Sequence, residues 1–217
     1  MKLMSKLLAI LALVLPVSAL ADDAQSLQQL LKPIQNLQGQ FSQQQFDSDG
    51  ELLLQSDGDF ALQRPGKFVW NTATPFEQQL VSNGKKLWLY DPDLEQVSIK
   101  AVDAHLQQTP MLILTGDSEM LGKSFKIVET TVKATVATAS AANTQQRQFL
   151  LLSRQLEPVF ERLIIVFNHD ILSEIKVHDS LGQLTQFKLL NAAVNSDLDS
   201  NQFEFKVPDG TEIIADE

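Results

Sequence analysis

The stretch that decides the fold covers residues 60–99, FALQRPGKFVWNTATPFEQQLVSNGKKLWLYDPDLEQVSI. Large apolar residues alternate with polar ones along much of it. Because successive side chains of a strand point to opposite faces of a sheet, this alternation predicts a run of antiparallel strands. The first of these strands is predicted to place Phe60, Leu62 and Arg64 on one face. A single cation is therefore expected to stand in line with large apolar groups.

Three turns are predicted within this stretch. Arg64-Pro65-Gly66 ends the first strand, because proline fixes φ and glycine permits positive φ. Asn83-Gly84 lies between two apolar runs, which is the strongest short-range signal for a β-hairpin. Asp91-Pro92-Asp93 is predicted to form the next turn.

The same pattern continues on both sides and predicts about eleven strands, with helices inserted at two places. ELLLQ at residues 51–55 and GDFALQR at residues 58–64 are interpreted as two successive strands. Residues 203–210 are predicted to form a last short strand and its turn. Residues 133–146 are rich in Ala and Thr and are predicted to form a loop with poorly defined strand ends.

The N-terminus has the pattern of a targeting segment. Two lysines precede an apolar run at residues 7–15, which is too short to span a bilayer. The run leads to Ala19-Leu20-Ala21, which fits the small-x-small rule for cleavage. We therefore predict a signal peptide at 1–21 and a single domain at 22–217; the alternative is an uncleaved anchor.

Composition excludes several classes of function. The chain has 27 acidic and 17 basic residues, for a formal net charge of −10, which disfavours binding to nucleic acid. It has no cysteine, so no disulfide can stabilise it. A bacterial lipoprotein needs an acylated cysteine after its signal peptide, so we do not expect this protein to be anchored by lipid.

The two predicted helical insertions differ in their signals. Asp22 and Asp23 are suited to begin the first helix, and Pro33 is expected to end or kink it. Its apolar stripe is predicted to contain Leu27, Leu30, Leu31, Ile34 and Leu37. In the second insertion, Thr109-Pro110 is predicted to begin a helix that continues through Met111, Leu112, Ile113 and Leu114.

No catalytic or metal site is predicted. Residues 116–124, GDSEMLGKS, place five residues between two glycines where a phosphate-binding loop needs four. His105, His169 and His178 are scattered and lack the spacing of metal ligands. The acidic residues at 47–50 begin like a calcium loop but lack its later ligands, so we predict a hairpin turn there. The sequence favours a binding protein over an enzyme.

Two blocks carry a resemblance to a known family. RPGKFVW at residues 64–70 and LVSNGKKLWLYDPDLEQV at residues 80–97 resemble the periplasmic outer-membrane lipoprotein carrier protein (LolA) family. Residues 203–210 are also similar to the closing FxFxxPxG of that family. The resemblance weakens between about residues 119 and 154, where the Ala/Thr-rich stretch departs from the family pattern.

The resemblance implies a mainly β fold, an unclosed antiparallel β-barrel with an α-helical lid over an apolar cavity. It implies a monomeric periplasmic carrier, without a cofactor, that shields the acyl chains of lipoproteins. The expected partners are acylated lipoproteins, an inner-membrane ABC-type lipoprotein-releasing complex and an outer-membrane lipoprotein receptor. The alternatives are a periplasmic lipid-binding sensor or regulator of the same fold, and a lipid-acting hydrolase.

The resemblance also assigns roles to residues. Arg64, in the RP block, matches a family arginine that latches the lid, whereas composition alone favours an exposed turn arginine. Phe68 matches a position for docking on the transporter; otherwise it is a core aromatic residue. The residues predicted to contact the acyl chains, several of which fit ordinary core positions equally well, are Leu27, Leu31, Ile34, Trp70, Met111, Leu112 and Leu114.

Overall fold

A computed structural model describes residues 22–102, 114–115, 121–130, 146–155 and 160–215. Several predictions fall outside these residues. They are the signal peptide at 1–21, the helix start at Thr109-Pro110 with Met111 and Leu112, the role of His105, and nearly all of the Ala/Thr-rich stretch.

Twelve strands form one sheet. The strands are β1 (Asn36–Phe46), β2 (Leu52–Gln63), β3 (Lys67–Thr74), β4 (Gln78–Asn83), β5 (Lys86–Asp91), β6 (Gln96–Ala101), β7 (Phe125–Thr130), β8 (Gln146–Ser153), β9 (Arg162–Asn168), β10 (Ile171–His178), β11 (Leu184–Val194) and β12 (Glu212–Ala215). The described part also contains helix α1 (Asp23–Leu31), helix α2 (Leu121–Ser124) and a 3-10 helix (Ser200–Phe203).

The sheet is open. Its strand order is β12-β6-β5-β4-β3-β2-β1-β11-β10-β9-β8-β7, and the two end strands do not pair with each other. All neighbours are antiparallel except β12, which runs parallel to β6. The predicted mainly β, unclosed antiparallel architecture is therefore confirmed.

The predicted strand count and two strand assignments need correction. The sheet has twelve strands rather than about eleven. Leu52–Gln63 form one continuous strand instead of two, because Asp57-Gly58 forms a bulge against β3 rather than a turn. The predicted strand at 203–210 is absent. Asp199 caps a 3-10 helix there and Phe203 is fully buried, and the last strand, β12, follows at Glu212–Ala215.

Helix α1 begins and ends where the sequence predicted, but its stripe is shorter. The Asp22 side chain accepts a hydrogen bond from the Ala24 N–H, and the helix ends at Leu31, just before Pro33. Leu27, Leu30 and Leu31 are buried as predicted. Ile34 lies in the connection and Leu37 in strand β1, because the proline stops the helical period before it reaches them.

The two faces of the sheet carry separate apolar clusters. On the inner face, Phe60, Leu62 and Trp70 join the leucines of α1 and, from the other half of the sheet, Phe149 in one cluster. Because strands as distant in the order as β3 and β8 contribute to it, the sheet curves around this cluster. On the outer face, the C-terminal segment covers a second cluster made of Ala61, Val69, Val81, Trp88, Val97 and Phe203.

The predicted turns are confirmed. The Arg64-Pro65-Gly66 turn joins β2 to β3, and Gly66 has φ +68°. At the Asn83-Gly84 turn between β4 and β5, the Asn83 side-chain oxygen accepts two backbone N–H groups and Gly84 has φ +87°. The Asp91 carboxylate accepts the Leu94 N–H in the next turn, and Asp47 does the same for two N–H groups in the β1–β2 hairpin.

Gly58 permits Asn71 and the ring of Phe41 to approach the β2 backbone more closely than any residue with a side chain at position 58 would allow. A Cβ atom there would lie 1.9 Å from the Asn71 carbonyl oxygen and 2.8 Å from Cε1 of Phe41. The first contact is with backbone, which a rotamer change cannot relieve. The ring of Phe41 therefore crosses β2 only because position 58 has no side chain.

We expect Gly58→Ala to destabilise the fold by about 2–4 kcal/mol, the range of severe core substitutions, since β2 must move away from β3. Urea unfolding followed by circular dichroism would measure the loss. Gly122→Ala is the matched control, because its added Cβ would meet only the Ala24 Cβ at 3.4 Å. Equal stability of the two variants would contradict this account.

Candidate functional site

The inner face holds a pocket of about 460 Å³ at one end of strands β2–β5. Its apolar lining consists of Leu54, Phe68, Trp70, Pro75, Phe76, Leu80, Leu87 and Phe187. Its polar lining consists of Gln43, Ser56, Thr72, Glu77, Gln78 and Asp91. Ligand pockets commonly have volumes of about 300–1,000 Å³ and mostly apolar walls, and this one has both properties.

The pocket has a closed end and an open end. Phe68 is 1 % exposed, whereas Phe76, in the turn between β3 and β4, is 68 % exposed. A ligand would therefore enter beside Phe76 and extend along the inner face toward Phe68.

Trp70 is held by aromatic contacts from three other strands. Its ring stacks on Phe41 of β1 with 4.0 Å between the ring centroids, and on Phe60 of β2 at 5.5 Å. Phe187 of β11 meets its ring edge-on at 5.4 Å. These contacts fix the orientation of the indole in the pocket wall.

The predicted acyl-contact residues occupy two places. Trp70 lines the large pocket. Leu27, Leu31 and Leu114 are buried in the same inner cluster, with Ile34 packed against it, but they do not line that pocket. The remaining two predicted contacts, Met111 and Leu112, lie outside the described residues.

A second, much smaller cavity brings Arg64 beside the end of α1 and beside Leu114 and Thr115. It is lined by Arg64 together with Leu31, Ile34, Leu114 and Thr115. The adjacent turn is tied to this region by backbone hydrogen bonds. The Gly66 N–H donates to the Thr115 carbonyl at 3.1 Å, and the Arg64 N–H donates to the Gln35 carbonyl at 2.9 Å.

Two ionisable groups with shifted pKa values, Arg147 and His178, lie on the other half of the sheet. Hydrogen bonds to the Glu129 carboxylate, at 2.7 and 3.0 Å, raise the pKa of Arg147, whose guanidinium also lies over the Phe149 ring. Burial lowers the pKa of His178, and the nearby positive charges of Arg162 and Lys176 lower it further. Neither Arg147 nor His178 lines the large pocket.

Within the described ranges, no group of three or more His, Cys, Asp or Glu side chains is arranged to hold a metal ion. No helix among the same residues is long and apolar enough to cross a membrane. His169, in the β9–β10 turn, is exposed, and His178 is half-buried on β10.

Comparison with known proteins identifies the family. The model of the family described as outer membrane lipoprotein carrier protein LolA matches residues 32–206. The chain belongs to the LolA family. It is 38 % identical to the outer-membrane lipoprotein carrier protein of Azotobacter vinelandii, over 93 % of this chain and 92 % of that one. It is 34 % identical to that of Chromohalobacter salexigens, over 96 % of this chain and 94 % of the relative.

A solved structure shares the fold at low sequence identity. An uncharacterized conserved protein from Thermus thermophilus is similar with a TM-score of 0.51 and 12 % identity, covering 88 % of this chain and all of that one. At this identity the likeness shows the fold alone.

Sequence reasoning missed several pocket residues of this family member. Leu80 pairs with Trp70 across β3 and β4, so the hairpin register could have placed it on the inner face. Leu87 could have been placed on the inner face in the same way, because it pairs with Ser82, which itself pairs with Phe68. Phe187 lies far away in sequence, and no local signal places it beside Trp70.

Ser82, which pairs with Phe68 at the closed end of the pocket, connects the turn that contains Gly66 with the turn that contains Gly84. It is fully buried; its hydroxyl donates to the Gly66 carbonyl at 2.9 Å and accepts the Gly84 N–H at 3.1 Å. One side chain therefore satisfies two backbone groups, one in each turn.

Ser82→Ala is expected to lower the free energy of unfolding by about 1–3 kcal/mol, since it removes the hydroxyl that bonds two partly buried backbone groups. Urea denaturation provides the measurement. Ser98→Ala, on the half-buried part of β6, serves as the control and should change stability by less than about 0.5 kcal/mol. If Ser82→Ala is as stable as this control, the hydroxyl does not hold the turns.

Proposed function

We propose that this protein is a periplasmic carrier that shields the acyl chains of lipoproteins in its inner-face pocket and acts by binding rather than catalysis. The observation that supports this most directly is the apolar pocket of about 460 Å³, built around Phe68 and Trp70 within a LolA-family fold. The relatives from Azotobacter and Chromohalobacter bear the name outer-membrane lipoprotein carrier protein and align over nearly the whole chain.

The size of the pocket bears on how cargo is held. At roughly 30 Å³ for a methylene-sized group, similar to the volume of a water molecule in the liquid, the pocket holds about fifteen such groups, or one acyl chain. Each buried methylene contributes about 0.8 kcal/mol, so one chain contributes roughly 12 kcal/mol. Further chains of the same cargo require the inner cluster to open.

The proposed route of cargo runs between two membrane partners. The protein, exported by a signal peptide at 1–21 and acting as a monomer, receives cargo from an inner-membrane ABC-type lipoprotein-releasing complex. It delivers that cargo to an outer-membrane receptor. The proposed transporter-docking residue, Phe68, is only 1 % exposed, so a partner would reach it only after the pocket rearranges.

A release experiment tests the carrier function. Spheroplasts with labelled lipoproteins are incubated with the purified protein, and the supernatant is examined for a soluble complex. We expect release of acylated cargo in a one-to-one complex and no release of an unacylated variant of the same lipoprotein. Absence of release beside an active known carrier would refute the proposal.

Arg64 is proposed as the latch that holds the helical segments against the sheet. It lines the small cavity together with Leu31, which ends α1, and Leu114. The backbone carbonyls at the end of a helix are suitable acceptors for a guanidinium with five donors. The neighbouring bond from Gly66 to the Thr115 carbonyl supports the same junction. Opening this junction would expose the inner cluster to a larger ligand.

Arg64→Leu should accept cargo but transfer it poorly to the receptor. The substitution removes charge-assisted hydrogen bonds, each of which favours the closed form by about 1.5–3 kcal/mol. Transfer of labelled lipoprotein to outer membranes measures the effect, with at least about a tenfold drop in rate expected. Arg162→Leu, which alters an exposed arginine on β9, is the control. Normal transfer by Arg64→Leu would exclude the latch.

A further inference from the structure

The large pocket has an uneven distribution of charge. Two carboxylates, Glu77 and Asp91, form part of its wall, and none of its lining residues among those described is Lys, Arg or His. Apolar side chains make up most of the remaining wall. A ligand in this pocket therefore meets negative charge but no lining cation.

Topology places the two carboxylates at the open end. Glu77 lies in the turn between β3 and β4, beside the exposed ring of Phe76. Asp91 is the last residue of β5, and the pairing of Gln79 with Tyr90 brings the end of β5 next to the start of β4. The Asp91 carboxylate is held in place because it accepts the Leu94 N–H at 3.1 Å.

The closed end differs in chemistry. Phe68 and Trp70, exposed by 1 % and 6 %, leave only an apolar surface for the far end of a ligand. A single chain of about fifteen methylene-sized groups matches the volume of about 460 Å³. The pocket thus has the shape of a site for one chain with a head group at the carboxylates.

We infer that the pocket selects ligands by the charge beside the acyl chain, and that its preferred ligand is a single-chain amphiphile with a cationic head. This rests on the proposed function, because it takes the pocket as the acyl site, and it adds which head group that site accepts. An ammonium at the mouth is attracted by Glu77 and Asp91, whereas a carboxylate or phosphate there is repelled. For lipoprotein cargo, the same rule favours a basic residue over an acidic one next to the acylated terminus.

Two dodecyl amphiphiles of opposite charge test the inference. Dodecyltrimethylammonium and dodecanoate are titrated into the purified protein below their micelle concentrations, in low salt at neutral pH. Trp70 in the pocket wall reports binding by its fluorescence. The chain has two tryptophans, and Trp88 lies in the outer cluster, so a Trp88→Phe background isolates the signal.

We expect the cationic amphiphile to bind at least about tenfold more tightly, since one head is attracted and the other repelled. The Glu77→Gln/Asp91→Asn double variant should reduce this ratio to below about threefold, as should salt near 1 M, because screening removes the head-group contribution. Asn at position 91 keeps an oxygen for the Leu94 N–H. The Asp93→Asn/Glu95→Gln variant is the matched control, because both residues are exposed near the mouth without lining the pocket.

Equal binding of the two amphiphiles, tighter binding of dodecanoate, or an unchanged ratio in the double variant would overturn the inference. Failure of both to bind would overturn it as well. Release of lipoprotein from spheroplasts, measured on the same preparation, keeps the two proposals separate. Release without charge preference removes only this inference, and charge preference without release removes only the carrier proposal.

Discussion

The stack of Phe41 on Trp70 is the contact on which the candidate site depends. The two residues belong to β1 and β3, and the strand between them contributes Gly58, whose missing side chain lets the Phe41 ring cross. Phe187 of β11 then meets the free edge of the indole. Four neighbouring strands are thereby fixed relative to one another, and the pocket wall has a rigid centre.

The rest of the inner face divides into an open and a closed part. Toward Phe76 the wall leaves about 460 Å³ of space. Toward Arg64 the leucines of α1 and Leu114 fill the same face and leave almost none. Apolar surface that is not covered by protein is costly in water, so an empty carrier is stabilised by this partial filling. A ligand with several chains must displace side chains that currently cover each other.

Charge and apolarity play different parts in such a site. Methylene burial supplies most of the binding free energy, but it does not distinguish one acyl chain from another. Discrimination requires a polar or charged group at the site, and Glu77 and Asp91 line its open end, where the Leu94 N–H holds the Asp91 carboxylate. The same division between affinity from apolar area and specificity from a few charges is common in ligand pockets.

The sequence by itself determined the turns, the alternation of faces and the family. Asn83-Gly84, Arg64-Pro65-Gly66 and Asp91-Pro92-Asp93 form turns for reasons contained in those residues, since glycine, proline and aspartate restrict or satisfy their own backbone. Phe60 and Leu62 face inward and Ala61 outward because the strand period is two. Two sequence blocks were enough to indicate the LolA family, which the comparison then established.

Tertiary structure decided what lies beside what. Phe187 meets Trp70, and Leu31 lines the same small cavity as Arg64, only through the order in which distant strands and helices pack. Local sequence does not contain that order. The same holds for the chain end. Residues 203–210 alternate like a strand, but burial of Phe203 against the outer face outweighs that pattern, and the final strand forms later, where β6 offers a free edge. Packing between remote segments thus overrides a weak local preference, while strong turn chemistry persists.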